Sequence, residues 1–126
     1  MARRDFPAPR SEAFTATARA WLDNPGEGPP VRPAATVLLL RDSADGLEVF
    51  VLRRVASMAF APSMYVFPGG GVDPGDAQAE FDGALLEQLA VRMDRPVDEA
   101  APIIACAVRE VDEEVGVGIT AADLTV

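Results

Sequence analysis

A chain of 126 residues is long enough for one small domain and too short for two domains of ordinary size. Its 11 basic and 20 acidic residues give a net charge of -9, which argues against a nucleic-acid or anionic-membrane partner and would also repel a phosphorylated substrate unless cations reversed the field. The chain contains no histidine, so it cannot form a histidine-activated nucleophile or a histidine-ligated zinc or iron site.

The N-terminal part of the chain is predicted to be an extension that leads into a domain. Residues 1–32 form this extension and linker, with a short helix expected at residues 11–22. The sequence Asn-Pro-Gly at residues 24–26 is a strong helix breaker, and Gly-Pro-Pro at residues 28–30 repeats the signal. The predicted domain therefore spans residues 33–126.

Two apolar runs predict a β-hairpin at the start of the domain. Residues 35–40 and 47–53 are rich in valine, leucine and phenylalanine, and residues 42–46 between them have a turn-forming composition. Because both strands are apolar on both faces, we expect a sheet covered on each side, in a layered α/β arrangement. Residues 64–67 predict a third short strand, and the glycine and proline residues at 68–76 predict an irregular loop after it.

Two amphipathic helices are predicted in the remainder of the domain. Over residues 80–93, large apolar side chains recur at four-residue spacing, which is typical of a helix with one buried face. These side chains are Phe81, Leu85 and Leu89. A final helix is predicted over residues 102–115, and Gly116 is placed to end it in the left-handed conformation.

The single cysteine indicates a reducing environment. Cys106 cannot form an internal disulfide, and its apolar neighbours favour a buried core thiol over a nucleophile. No apolar stretch is long enough to cross a bilayer, and no signal peptide is recognisable. We therefore expect a cytoplasmic protein.

Three glutamates lie on one edge of the final predicted helix. Glu110, Glu113 and Glu114 stand at i, i+3 and i+4, so their side chains project from the same side. Like charges at this spacing destabilise a helix by about 0.2–0.5 kcal/mol per pair. An acidic helix face often does no more than contact solvent. Clustered carboxylates are also the ligands that Mg2+ and Mn2+ prefer, and a bound cation would cancel the repulsion.

The same residues lie in a known signature. Arg-Glu-Val-Asp-Glu-Glu-Val-Gly-Val at residues 109–117 resembles the second half of the Nudix box, in which Arg-Glu-aliphatic-any-Glu-Glu-any-Gly-aliphatic is expected. Gly70 and Asp76 match the first half, which is a glycine followed six residues later by an acid. The family usually has glutamate where this chain has Asp76, and it usually places seven residues where residues 77–108 stand here.

The box is thus split by an insertion at about residues 77–101. This interruption, with Phe-Pro-Gly-Gly-Gly-Val-Asp-Pro-Gly-Asp at residues 67–76, resembles the branch of acyl-coenzyme A diphosphatases and their bacterial relatives. The resemblance covers residues 33–126 and implies an α/β (α+β) fold, the Nudix-type α/β/α sandwich with a mixed sheet. Relatives continue past the box into further strands and a second packing helix, so the sandwich is expected to be C-terminally incomplete here.

The resemblance implies a hydrolase that cleaves a diphosphate linkage in an X-linked nucleoside diphosphate, with a coenzyme A derivative as one candidate. The implied cofactor is Mg2+ or Mn2+, with Glu113 and Glu114 as main ligands. Glu110 would be a further ligand or the base that activates water. The main-chain carbonyl of Gly69 would complete the metal site.

Arg109 belongs to the implied catalytic set with the three glutamates, although it would pair with Asp76 instead of touching substrate. The resemblance makes Gly70, Asp76 and Gly116 the structural residues of the motif. Arg53 and Arg54 end the strand before the loop and are the predicted phosphate-binding residues, although strand-end arginines are usually only solvated.

The sequence leaves several alternatives open. Trp21 and Tyr65 could stack on a base, although partial core packing is favoured for both. The expected partner is a small nucleoside diphosphate derivative, together with a homodimer mate or a complementing chain, and not nucleic acid or a membrane. A second hypothesis is an inactive or incomplete Nudix-derived binding or structural module that needs a partner chain. A third is an unrelated acidic α/β domain whose glutamates only bind solvent.

Overall fold

The chain forms two compact units, residues Met1–Val31 and Arg32–Val126. The computed structural model describes residues 12–28, 30–55 and 63–126. In the first unit, helix α1 spans Glu12–Asp23. The predicted helix at residues 11–22 is therefore confirmed, except that residue 11 lies outside the described residues. The helix ends where the Asn-Pro-Gly breaker begins, because a residue that precedes proline avoids the helical conformation.

In the described part of the second unit, six short strands pair in antiparallel fashion as three two-stranded sheets. In chain order they are β1 (Ala34–Thr36), β2 (Leu40–Ser43), β3 (Gly46–Val49), β4 (Leu52–Arg53), β5 (Tyr65–Val66) and β6 (Gly69–Gly71). Strand β1 pairs with β6, β2 with β3, and β4 with β5. The parallel pairing of the mixed sheet that the resemblance implied is not found among the described residues.

The two long strands predicted at residues 35–40 and 47–53 are each broken in two. The break arises because the chain changes its pairing partner within each apolar run. In the first run, β1 pairs with β6 and β2 with β3; in the second, β3 pairs with β2 and β4 with β5. The predicted hairpin is confirmed between β2 and β3. Ser43 pairs with Gly46, whose φ of 114° suits a tight turn between the two strands.

The predicted irregular loop at residues 68–76 is wrong over most of its length. Gly69–Gly71 forms strand β6, and Pro74–Gln78 forms a short 3-10 helix. Glycine makes the strand possible because a side chain at Gly69, where φ is 153°, would overlap the main chain of Ala35 and Thr36. The absence of a side chain at Gly69 thus allows β6 to pair closely with β1.

Helix α2 spans Gly83–Arg92 and confirms the amphipathic helix predicted at residues 80–93. Helix α3 spans Val97–Val115, so it begins before the predicted start at residue 102 and includes Pro102. An interior proline costs a helix about 3 kcal/mol. The burial of Ala100 and Ile104, which lie on either side of Pro102, offsets that cost.

Helix α3 contributes to both hydrophobic clusters of the second unit. One cluster joins α3 to β1 through Ala35, Val37, Cys106, Ala107 and Val111. The other joins α3 to α2 and the C-terminal segment through Leu89, Ala90, Ala100, Ile104 and Ala121. The helix is therefore fixed on two sides, and its remaining edge is available for polar side chains. Together the helices and small antiparallel sheets confirm an α+β fold.

The prediction that the hairpin sheet is covered on each side is wrong. The exposed fractions of Leu40, Leu47 and Val49 are 57%, 68% and 47%. A strand that is apolar on both faces is buried on both only where another element packs on each face, and the strand sequence alone does not specify that element. The described residues include no helix with the length and apolar character needed to span a membrane.

Candidate functional site

The last two turns of α3 carry the predicted site residues along one edge. Helix α3 packs there against β6 and against the 3-10 helix Pro74–Gln78. The side chain of Glu110 is 13% exposed and that of Glu113 is 57% exposed, so the edge runs from the packed interface towards solvent. The i, i+3, i+4 spacing therefore does bring the carboxylates to one side of the helix, as the sequence predicts.

A bidentate ion pair connects α3 to the 3-10 helix Pro74–Gln78. Arg109 donates from Nε to Asp76 Oδ1 at 2.9 Å and from Nη2 to Asp76 Oδ2 at 3.1 Å. The side chain of Asp76 is only 4% exposed. The Arg109 hydrogen bonds hold the pKa of Asp76 below its ordinary value, and Asp76 in turn raises the pKa of Arg109. The shorter acid thus makes the bridge that glutamate is expected to make in the family.

The same guanidinium binds two of the glutamates. Arg109 Nη1 donates to Glu110 Oε1 at 2.9 Å and to Glu113 Oε2 at 3.0 Å. Its Nη2 also donates to the main-chain oxygen of Gly71 at 3.1 Å. One cationic nitrogen therefore lies between two carboxylates, and it offsets the repulsion that their spacing creates.

Glu114 is held by β6 instead of by Arg109. The main-chain N–H of Gly69 donates to Glu114 Oε2 at 2.9 Å. The sequence resemblance predicts that Gly69 contributes a carbonyl oxygen to a metal, and it does not reveal this N–H contact. No local signal could have revealed it, because the two residues are brought together only by the packing of α3 on β6.

The glycines of the motif play distinct structural roles. Gly116 ends α3 with φ 71° and ψ 24°, and its N–H donates to the main-chain oxygen of Asp112. This is the predicted left-handed helix end. Gly70 lies beside Glu110, where a side chain would overlap the carboxylate. The sequence identified Gly70 as a motif residue without showing what it contacts.

Cys106 lies on the buried side of α3, facing β6. Its Sγ lies 3.4 Å from the main-chain oxygens of both Gly70 and Gly71 and is fully buried. Burial raises the pKa of the thiol. These contacts agree with the core thiol that the sequence favours, because a buried thiol with a raised pKa is a poor nucleophile.

The predicted phosphate-binding arginines lie on a different sheet. Arg53 ends β4, and its guanidinium lies 6.0 Å from the ring centroid of Tyr65 on β5. The main chain of Arg54 is hydrogen-bonded to Met64 and Ser63. Tyr65 is 66% exposed, so the core packing favoured for it is wrong, as it is for Trp21, which is 56% exposed. The role of the two arginines stays a prediction.

The carboxylate edge, formed by Glu110, Glu113 and Glu114, fits a hard divalent cation by its chemistry, although its side chains do not surround one point on all sides. Within the part of the chain that the structure describes, no group of three carboxylate or thiol side chains converges at metal-binding separations. The available donors are nevertheless all oxygens, and Glu110 and Glu113 already direct one oxygen each to a single positive nitrogen. Oxygen donors on a rigid helix suit Mg2+ or Mn2+.

The chain is similar to a solved structure. The crystal structure of a Nudix hydrolase from Alicyclobacillus acidocaldarius shares 31% sequence identity, with a TM-score of 0.50. This likeness supports the Nudix family. The match covers 67% of this chain and 36% of that hydrolase, so the chain corresponds to little more than a third of the Nudix hydrolase it matches. No family model and no curated protein matches the chain.

Proposed function

We propose that this chain carries the cation-binding part of a Nudix hydrolase that cleaves the diphosphate linkage of an X-linked nucleoside diphosphate. The observation that carries the proposal is the arrangement of Arg109 Nη1 between Glu110 and Glu113, beside a third carboxylate that is fixed on β6. Each of the three acids thus has a hydrogen-bond donor on the protein, which an acidic helix face that only contacts solvent does not require. The similarity to a Nudix hydrolase supports the same reading.

The proposed ligands of Mg2+ or Mn2+ are the carboxylates of Glu113 and Glu114, with the main-chain carbonyl of Gly69. Glu110 is either a further ligand or the base that accepts a proton from the attacking water. When bound, the cation supplies positive charge to the phosphate oxygens and lowers the pKa of water. Asp76 and Arg109 act as positioning residues, because they fix α3 and orient Glu110 without needing to touch substrate.

The reaction adds one water across a P–O–P linkage, so each phosphorus leaves as a phosphate monoester. A substrate of this class carries several negative charges, and the chain itself has a net charge of -9. Cations at the carboxylate edge are therefore needed to reverse the local field before such a substrate can bind. Arg53 and Arg54 are proposed to assist by contacting a phosphate, and a coenzyme A derivative is the proposed substrate. The cytoplasm is the proposed compartment.

The test is hydrolysis of ADP-ribose and of coenzyme A esters with Mg2+ or Mn2+, followed by addition of EDTA. We compare Glu114→Gln with Asp112→Asn, which removes an equal charge from an exposed position of the same helix. Glu114→Gln should lower kcat/KM by more than about 100-fold, because even the loss of groups around metal ligands costs about 10–100-fold. Asp112→Asn should stay near wild type. Activity that survives EDTA, or a fully active Glu114→Gln, would refute the proposal.

The exposed hairpin favours a second candidate function. Leu40, Leu47 and Val49 present apolar side chains to solvent, which is a feature of a module that another polypeptide covers. In that case the chain is an inactive Nudix-derived binding or structural module. Light scattering, together with the hydrolysis assay above, distinguishes the two candidates. A well-folded, catalytically active monomer contradicts the binding module. An inactive chain that assembles through the hairpin contradicts the hydrolase.

A further inference from the structure

Gly70 occupies the middle of β6, opposite Ala35 of β1. The glycines with positive φ in the described chain are Gly46, Gly69 and Gly116, so the backbone of Gly70 is one that any residue can adopt. Its conformation does not explain why this position lacks a side chain. The explanation must therefore be steric.

A methyl group at Gly70 would occupy the place of the Glu110 carboxylate. An ideal Cβ there would lie 2.5 Å from Glu110 Cδ and 2.9 Å from Oε2, and it would overlap Oε1. The neighbouring Gly71 is different, because a Cβ at that position meets no atom within 4 Å. Of these two adjacent glycines, therefore, Gly70 lies where a side chain would overlap a neighbouring residue, and Gly71 does not.

We propose that Gly70 is a positioning residue for Glu110: the space left by its missing side chain is the seat of the Glu110 carboxylate. This inference rests on the proposed function, in which Glu110 acts at the cation site. The seat also brings Glu110 Oε1 within 2.9 Å of Arg109 Nη1. The carboxylate is thereby fixed between a strand and a guanidinium, with 13% of its side chain exposed.

The nature of the clash makes the proposal testable without unfolding the protein. The atoms that a methyl group would meet belong to the end of a flexible side chain and not to the main chain. Alanine at position 70 should therefore displace the Glu110 carboxylate and leave β6 in place. An effect on the site can then be separated from an effect on the fold.

The experiment compares Gly70→Ala with Gly71→Ala as a matched control. Metal-free crystal structures report the position of the Glu110 carboxylate, and manganese titration followed by electron paramagnetic resonance reports cation affinity. We expect Gly70→Ala to move the carboxylate and to weaken Mn2+ binding about tenfold or more, the range seen when groups that orient ligands are removed. Gly71→Ala should do neither, and both variants should unfold near the wild-type temperature.

A compensating variant adds a second test. Glu110→Asp shortens the acid by one methylene, so combined with Gly70→Ala it should recover part of the Mn2+ affinity that Gly70→Ala alone loses. An unmoved carboxylate in Gly70→Ala, or equal weakening by Gly71→Ala, overturns the inference. If the carboxylate moves but wild type itself binds no Mn2+, the proposed function fails while the seat for Glu110 stands.

Discussion

Replacing Asp76 with asparagine keeps the size of the side chain and removes its charge. In the wild type, Asp76 Oδ1 accepts from Arg109 Nε, and Oδ2 accepts from Arg109 Nη2 and from the main-chain N–H of Asp73. Asparagine has a single acceptor oxygen, so either orientation of its amide directs an NH2 group at a donor. At least one of the two bonds to Arg109 must therefore be lost, together with the charge that strengthens both.

The size of the effect follows from the burial of the pair. Two charge-assisted hydrogen bonds contribute about 1.5–3 kcal/mol each. Because the Arg109 side chain is 25% exposed and keeps its contacts with Glu110 and Glu113, we expect the lower end. Since one bond is lost and the other is weakened, Asp76→Asn should lower the free energy of unfolding by about 1.5–3 kcal/mol, or roughly 6–24 °C in Tm for a unit of this size.

Urea unfolding followed by circular dichroism is the suitable assay, since α2 and α3 supply most helical signal of the second unit. Fluorescence is unsuitable because Trp21 belongs to the first unit. The control is Asp73→Asn, which removes the same charge from a side chain that is 71% exposed and 3.9 Å from Arg109. It should change stability by less than about 1 kcal/mol.

The pH dependence of the free energy of unfolding provides a second test of the Asp76–Arg109 ion pair. A folded-state pKa held below the ordinary 3.8 means that Asp76 stabilises the fold fully above about pH 4 and loses this contribution as pH falls through the folded value. The difference between wild type and Asp76→Asn should therefore be constant from pH 7 to 5 and narrow below pH 4. An asparagine variant no less stable than Asp73→Asn, or a gap that does not change with pH, would refute the role of the bridge.

Two further predictions concern α3. Gly116→Ala should destabilise the unit by about 1–2 kcal/mol, because φ at this position is 71° and alanine disfavours that conformation. The control in the same urea assay is Gly118→Ala, where φ is not positive and no atom would contact the added methyl group. Equal destabilisation by the two variants would contradict the argument. The Cys106 thiol should react with a disulfide reagent only as fast as the protein unfolds, because it is fully buried and its pKa is raised, so rapid labelling of the native protein would be the contrary result.

The features that the sequence predicts well are those set by local chemistry. The apolar spacing in α2 predicts one buried helix face, and a glycine after the last turn of α3 predicts a left-handed end. The single edge formed by Glu110, Glu113 and Glu114 also follows from helix geometry alone. In each case neighbours along the chain carry the whole signal.

The features that the sequence does not predict depend on distant residues. Strand β6 exists because Gly69 can approach Ala35 closely, and nothing near residue 69 reports that partner. Helix α3 runs through Pro102 because Ala100 and Ile104 are buried against α2, which offsets a local penalty with a tertiary gain. The hairpin is exposed for the same kind of reason, since strand composition does not tell which faces another element covers.

The bond between Asp76 and Arg109 also bears on how this domain can change in evolution. Asp76 precedes residues 77–108 and Arg109 follows them, so the ion pair joins the two ends of this segment. The entropy lost on closing a loop grows only with the logarithm of its length, at about 0.6 kcal/mol for each doubling. Because α2 and α3 supply core residues within this segment, that tolerance applies to the exposed connections on either side of α2, whose lengths can change while the edge that carries Glu110, Glu113 and Glu114 keeps its position.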